Sequence, residues 1–533
     1  MPKISQLPAG TAPTGIEILP AVQGGVTSSF SFNQLAALSA TLGTYTPPGA
    51  GAVPTTIAAK LAPYRSIFDF MTAAQIADVQ ARTSLVPIEA AVSSATAAFP
   101  NGGTLYCPTG LYDLTTITSI LTSNFTLLGD GQGATVFRAK AAANSSGVIQ
   151  SLVANVTLER ITFDGNRANG GLNPTPSFES CVRLSGSNNK IINCEVRFGT
   201  GYGMYTGAAA GTPTQLVVDG CWIHDNGGVI SSTGYGIGIE GTAPAPTTDI
   251  TIVNNRFENN YNTVTGPGTS AAINIAGTRI VVANNYFLNN YNVNGGQCVL
   301  YSDQVLGATD GLMVVCNNVI EQTGNFGGDL TCGFEIEANK VVCCNNVVKE
   351  ALGVDAIRFE VSAGDSVISN NVLVAGLNTG NSGINLIKTI GVGVGRTRIN
   401  DNHILSGNIG INVQANPGNV IVIDNYIDSS ITKPIVGNTN IAIIRNNQCG
   451  AIAGVTGTTT TAGASPFTFP VLNYDATYQL GNPQGITSWG LDSASGPFLA
   501  PIGVNTQIFC KAGHSVTLWW LTTASVINIQ PQQ

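Results

Sequence analysis

An Asn-Asn or Asp-Asn pair set among β-branched residues recurs eight times in this chain. The copies are Asn254-Asn255, Asn284-Asn285, Asn317-Asn318, Asn345-Asn346, Asn370-Asn371, Asp401-Asn402, Asp424-Asn425 and Asn446-Asn447. Measured on the second residue, successive copies lie 30, 33, 28, 25, 31, 23 and 22 residues apart. A repeat of this period is one small unit that buries its apolar face only by stacking on its neighbours, so the chain is a solenoid with loops of unequal length.

The unit is made of strands. Residues alternate before each pair, as in Ile250-Thr251-Ile252-Val253 and Lys340-Val341-Val342-Cys343, and helical periodicity is absent there. A second alternating phrase recurs about halfway along each repeat, including Ile237-Gly238-Ile239-Glu240, Ile273-Asn274-Ile275-Ala276, Phe334-Glu335-Ile336-Glu337 and Ile357-Arg358-Phe359-Glu360. Two or three short strands per coil describe a parallel β-helix. Asn at the bend between strands tolerates left-handed backbone, and its amide can donate and accept along the stack. An internal hydrogen-bonded ladder is the expected role, with a row of sugar-binding amides as the alternative.

Composition narrows the function. Only 10% of residues are charged, the formal charge is -8 and the pI is about 4.9, so no basic stripe is available for nucleic acid. No run of 18 apolar residues suggests membrane insertion. The segment Met1 to Pro8 lacks the charged-then-apolar pattern of a secretory signal, so folding in a cytosol is expected. On that basis the eleven cysteines are expected to be free thiols filling the core. Only Cys343-Cys344 approaches a metal-ligand pair, and neither a metal nor a cofactor is expected.

Four regions follow along the chain. Residues 1–60 are a small adaptor with a Pro/Gly-rich linker from Thr46 to Pro54, or else a disordered tail. Residues 61–110 hold a helix with Ile88, Val92, Ala95 and Phe99 on one face, suited to covering the open end of a solenoid, and then the entry strands. Residues 111–453 are the coils. Residues 454–533 are a small β-domain for trimerisation, or a carbohydrate-binding module using Trp489, Trp519 and Trp520.

The segment from Ser66 to Gln80, Ser-Ile-Phe-Asp-Phe-Met-Thr-Ala-Ala-Gln-Ile-Ala-Asp-Val-Gln, is followed by Pro-Asn-Gly-Gly-Thr-Leu-Tyr-Cys-Pro-Thr-Gly-Leu-Tyr from Pro100 to Tyr112. Together they resemble the entry to the pectate-lyase-like β-helix of bacteriophage tailspikes. Ile4-Ser5-Gln6-Leu7-Pro8 with Val22-Gln23-Gly24-Gly25-Val26-Thr27 is similar to the virion-anchoring end of such proteins. The resemblance implies an all-β, right-handed single-stranded parallel β-helix with an N-terminal capping helix and a homotrimeric spike. It further implies a virion-tail location, attachment to the phage tail or baseplate through the N-terminus, and a bacterial surface polysaccharide, capsule or lipopolysaccharide, as partner. It supplies no catalytic residues, and the calcium-binding Asp cluster of pectate lyases is not matched here, which puts calcium-dependent lyase chemistry in doubt.

Aligning the second phrases gives the candidate site. Their bulky residues face inward, so the intervening ones form two outward columns: Gly238, Asn274, Leu300, Glu335, Arg358, Asn385 and Asn412, then Glu240, Ala276, Ser302, Glu337, Glu360, Ile387 and Gln414. Glu335, Glu337 and Glu360 thus fall on one patch, with Arg358 beside them and Asp303 nearby. Clustered carboxylates raise one another's pKa, so one can serve as acid while another stays ionised as base, the division that glycoside hydrolysis needs. A Glu335–Arg358 ion pair with Glu337 and Glu360 solvated is the structural alternative, and a variant site pairs Glu240 with Asp225 or Asp303. Tyr205, Trp222, Tyr235 and Tyr301 are candidates for stacking on sugars, and His224 for assisting as a base near Glu240. Hydrolysis is the expected chemistry. β-Elimination using Arg358, His224 or a Tyr, and a non-catalytic glycan adhesin, are its rivals.

Overall fold

The computed structural model describes residues 55–449 apart from 174–179, 207–213, 228–234, 240–246, 263–271, 293–299, 304–311, 322–332, 337–339, 352–354, 361–365, 376–381, 389–395, 414–418, 432, 438–440 and 446, together with short segments on either side. Each coil carries three strands, as in Tyr202–Thr206, Val217–Asp219 and Trp222–His224, and these pair in parallel with Tyr235–Ile239, Thr247–Val253 and Arg256–Glu258 of the next coil. We call the three successive strand stacks the first, second and third faces. The third is a 13-stranded sheet, while the first and second merge into a 25-stranded network because Ile273–Ala283 runs unbroken from one to the other.

Inward positions stack like on like. Tyr112, Phe137, Phe163, Val196, Ile223 and Phe257 follow one another on the third face. The Tyr112 and Phe137 rings stack at 4.8 Å, and those of Phe257 and Phe287 at 4.9 Å. Each such fully buried side chain contributes about 1.5–3 kcal/mol.

The Asn pairs sit at the bend between second and third faces, and their two members do different work. The first is exposed with left-handed backbone, from Asn254 at φ 58° to Asp424 at φ 57°. The second is buried and forms the expected ladder. Asn346 is typical: its backbone N–H and its Nδ2 both donate to Oδ1 of Asn371 at 3.0 and 2.9 Å, and Nδ2 also donates to the Val315 carbonyl at 2.8 Å. The pattern runs unbroken from Asn255 to Asn447. On the two coils before it Cys194 and Cys221 occupy the same place, and the Cys221 N–H donates to Asn255 Oδ1. A second ladder, of Asn226, Asn260 and Asn290, follows the third face. Its pairs, Asp225-Asn226, Asn259-Asn260 and Asn289-Asn290, are equally visible in the sequence.

The entry segment folds through its own caps. Ser66 and Asp69 form a capping box on the 3-10 turn Ile67–Phe70, and Thr72 with Gln75 forms another on the helix Ala73–Ala81. The helix Glu89–Ala97 buries Val92 and Ala95, flanked by buried Ile88 and Phe99, as the spacing predicts. Phe99 meets Phe125 of the first coil edge-on at 5.5 Å.

One expectation fails at the cysteines. Cys316 and Cys344 occupy paired positions on adjacent coils and form a disulfide, because parallel register holds their Cα atoms 4.7 Å apart. Cys107, Cys181, Cys194, Cys221 and Cys343 are free, buried fillers. After Gln448–Cys449 the parallel pairing gives way to antiparallel strands, four in one small sheet and three in another. Trp489, Trp519 and Trp520 lie on the three-stranded sheet, their side chains outside the described residues.

Replacing Asn346 by Ala removes the five hydrogen bonds of its amide and strands the Asn318 backbone donor in the core. We expect a loss of about 3 kcal/mol, read as a lower midpoint in urea unfolding. Asn345→Gly, at the exposed left-handed position beside it, is expected to leave the midpoint nearly unchanged.

Candidate functional site

Strand register on the first face fixes the outward column more firmly than alternation did. Gly238 pairs with Asn274, Asn274 with Tyr301, Tyr301 with Glu335, Glu335 with Arg358, Arg358 with Asn385 and Asn385 with Asn412. Tyr301 therefore takes the place expected for Leu300, which is fully buried in the core. The strand Leu300–Asp303 starts in an apolar run whose parity alternation leaves open, and a slip of one residue exchanges inside for outside. Asp303 consequently pairs with Ala276, in the second column, where Ser302 was expected. A second correction concerns Glu360, which pairs with Lys388 rather than Ile387. The register shifts after Phe359, and the extra residue re-aims the strand end.

The column therefore brings Tyr301, Glu335 and Arg358 onto three consecutive coils. Adjacent strands lie about 4.8 Å apart, so this trio spans about 10 Å along the axis. Glu335 is only 7% exposed, and a carboxylate taken that far from water needs a partner. Glu240 and Glu337 lie outside the described residues, and Tyr301, Asp303, Arg358 and Glu360 are placed by backbone register alone.

The other aromatic candidates are drawn into packing. Tyr205 and Tyr235 are buried with Tyr202, their rings 4.9 and 5.2 Å from its ring. This cluster closes over Gly238, where a Cβ would meet the Tyr202 ring at 2.5 Å. Trp222 and His224 lie on the third face, their rings stacked at 4.0 Å. They belong, with Asp225, to a charged network whose other members were absent from the candidates read from sequence.

That network is a column of acidic and basic residues. Asp113, Arg138, Asp164, Arg197, His224 and Glu258 succeed one another coil by coil. Arg138 makes a bidentate pair with Asp113, and Arg197 bridges Asp164 at 3.0 Å and Glu195 at 2.8 Å. Buried Glu195 also accepts from Thr162 at 2.6 Å and contacts His224 Nε2 at 3.0 Å, while His224 Nδ1 contacts Asp225 at 2.7 Å. Glu258 accepts from the Trp222 indole at 3.2 Å and pairs with Arg256 at 2.8 Å. Burial opposes ionisation of Glu195, yet His224, Thr162 and Arg197 together hold it at about 2. Burial likewise opposes protonation of His224, but Asp225 and Glu195 outweigh it and raise its pKa. With both ring nitrogens engaged by carboxylates, His224 works as a cation inside the scaffold. The sequence signal for this network is a recurring inward residue followed by a charge, as in Tyr112-Asp113, Phe137-Arg138, Phe163-Asp164 and Val196-Arg197.

The family model for the right handed beta helix region matches residues 115–290. No curated protein matches the chain by sequence. Among solved structures, the chain is similar to tailspike protein 3 of bacteriophage CBA120, at 14% identity over 86% of this chain and 75% of that one, with a TM-score of 0.42. It is similar to the tailspike protein of E. coli bacteriophage HK620 in complex with pentasaccharide, at 14% identity over 94% and 100%, with a TM-score of 0.43. It is also similar to ORF18 of Geobacillus virus E2, at 14% identity over 98% and 86%, with a TM-score of 0.40. The chain is a right-handed parallel β-helix.

A raised His224 pKa stabilises the fold fully below the unfolded value of about 6.5, and the contribution is lost as pH rises through the folded value. The stability difference between wild type and His224→Gln is therefore expected to be larger at pH 5.5 than at pH 9, measured by urea unfolding at both. Glu195 adds the opposite dependence only at the acid extreme, as pH falls from its unfolded range toward 2.

Proposed function

We propose that the chain is a phage tailspike that binds and depolymerises a bacterial surface polysaccharide, capsule or lipopolysaccharide, by glycoside hydrolysis along its first face. The observation that carries the reading is the strand register that sets Tyr301, Glu335 and Arg358 on consecutive coils, with Asp303 two residues along from Tyr301. Asp303 and Glu335 are then diagonal neighbours with backbones about 8 Å apart, a spacing that side chains can adjust to the roughly 6.5–9.5 Å of an inverting pair. Glu335, being buried, suits the acid, and Asp303 the base that activates water. Tyr301 offers a ring for a sugar face and Arg358 a cation for an acidic or hydroxyl-rich substituent. Glu337, Glu360 and Glu240 remain further carboxylate candidates from the sequence. The likeness of residues 66–80 and 100–112 to tailspike entry segments supports the biological setting: three chains joined to the phage tail by their N-termini and acting at the bacterial surface.

A non-catalytic adhesin is the second reading, favoured by one observation, the pairing of buried Glu335 with Arg358, which suits an ion pair as well as an acid. Incubation with a panel of capsules and mass spectrometry of the products separates the two. We expect released oligosaccharides with a water added across the cleaved bond. Glu335→Gln and Asp303→Asn are each expected to lower release by about a hundredfold or more. Undiminished release in both overturns the site, an ultraviolet-absorbing unsaturated product transfers the reaction to β-elimination, and binding without release establishes the adhesin.

A further inference from the structure

On the third face two aromatic rings recur at an interval of two coils, each tied to a carboxylate of the coil that follows it. The Trp222 indole donates to Glu258 Oε2 at 3.2 Å, and the Tyr286 hydroxyl donates to Glu321 Oε2 at 2.9 Å. Register places Trp222, Arg256 and Tyr286 on successive coils in one outward column, and His224, Glu258, Leu288 and Glu321 in the outward column beside it. The two rings, and likewise the two carboxylates, are therefore about 10 Å apart along the axis. One face of the Trp222 ring lies against His224, and Trp222 and Tyr286 both keep part of their surface in water. Exposed Arg256 pairs with Glu258 at 2.8 Å and stands 5.5 Å from the centre of the Trp222 ring. The Oε1 atoms of Glu258 and Glu321 have no hydrogen-bond partner among the described residues.

We propose that Trp222, Arg256, Glu258, Tyr286 and Glu321 form a second saccharide site, a platform on the third face that holds an uncharged stretch of polysaccharide apart from the first-face column. The class of ligand follows from what each kind of partner leaves unsatisfied. An apolar surface would take water from two carboxylates and a guanidinium without replacing it. An anionic polymer, nucleic acid included, would meet Glu258 and Glu321 at close range and be repelled. A neutral sugar matches both halves of the patch: its C–H faces lie on the rings, while its hydroxyls donate to the Oε1 atoms and accept from Arg256. On a chain lying along the axis the two rings meet different sugar units, so the site reads a polymer rather than a single sugar. The inference rests on the glycan reading for the source of that polymer, though not on hydrolysis. Two sites on one chain then raise the hold on a polymer that carries many copies of its repeating unit.

The test is hydroxyl-radical footprinting of the full chain, read by mass spectrometry, alone and with each purified polysaccharide of the capsule panel. It is run on wild type and on the double variant Glu335→Gln, Asp303→Asn. Labelling of Trp222 and Tyr286 is expected to fall severalfold in both proteins with a polysaccharide that binds. On the same immobilised polysaccharide, Tyr286→Ala and Glu321→Gln are each expected to weaken binding by about tenfold while leaving the urea midpoint near that of wild type. Should Tyr286→Ala fail to fold, Glu321→Gln, which keeps the size of the side chain, carries the measurement. Labelling unchanged by a bound polysaccharide, binding at wild-type strength in the folded variants, or a wild type that binds no polysaccharide of the panel overturns the proposal. Protection of Trp222 and Tyr286 without oligosaccharide release upholds this site and counts against hydrolysis on the first face. Release without that protection does the reverse.

Discussion

The hydrogen bond from one buried asparagine amide to the next is the interaction on which the rest of this molecule rests. A coil must turn sharply between its second and third strands, and the turn buries backbone groups that no strand partner reaches. Asn meets that need twice over, because its Oδ1 accepts from the coil below while its Nδ2 donates to a carbonyl of that coil and to the next amide. The same bond sets register. Once Asn318, Asn346 and Asn371 are aligned, every strand between them is aligned too, and with them the outward columns.

Register is what turns scattered residues into surfaces. The first face gains a column of Tyr301, Glu335 and Arg358, the third face a ladder of paired acidic and basic residues, and the corner between second and third faces a run of valines. These surfaces have distinct physics. The charged ladder satisfies itself, with His224 held between two carboxylates, so it stiffens the early coils. The corner between second and third faces carries Val314, Val342 and Val367 on one side and Val319, Val347 and Val372 on the other, and the same columns run on into Arg398 and His403. The first-face column sets the buried carboxylate of Glu335 in register with the Arg358 position.

Much of this was legible beforehand. The eight pairs, the strand alternation and the capping helix around Val92 and Ala95 all follow from local pattern, since each rests on contacts that recur at fixed spacing. Several readings miss for physical reasons, the register of Glu360 against Lys388 among them. Leu300 was set outward because a run of apolar residues carries no parity, and only its burial in the core resolves the strand. Cys316 and Cys344 are expected as thiols because residues 1–8 carry no secretory-signal pattern, while their pairing depends on which residues face each other across coils. The Glu195–His224 network went unseen because its members are neighbours across coils and not along the chain.

The sequence by itself determined the repeat, the strand content and the bend chemistry, because those depend on side chains acting on their own backbone or on the identical position one coil away. Only the tertiary structure decided which side chains stand beside each other on different coils, since loops of unequal length between the pairs hide that register from any fixed spacing. Glu335 beside Tyr301 and Arg358, Glu195 against His224, and valine stacked on valine are all of this second kind.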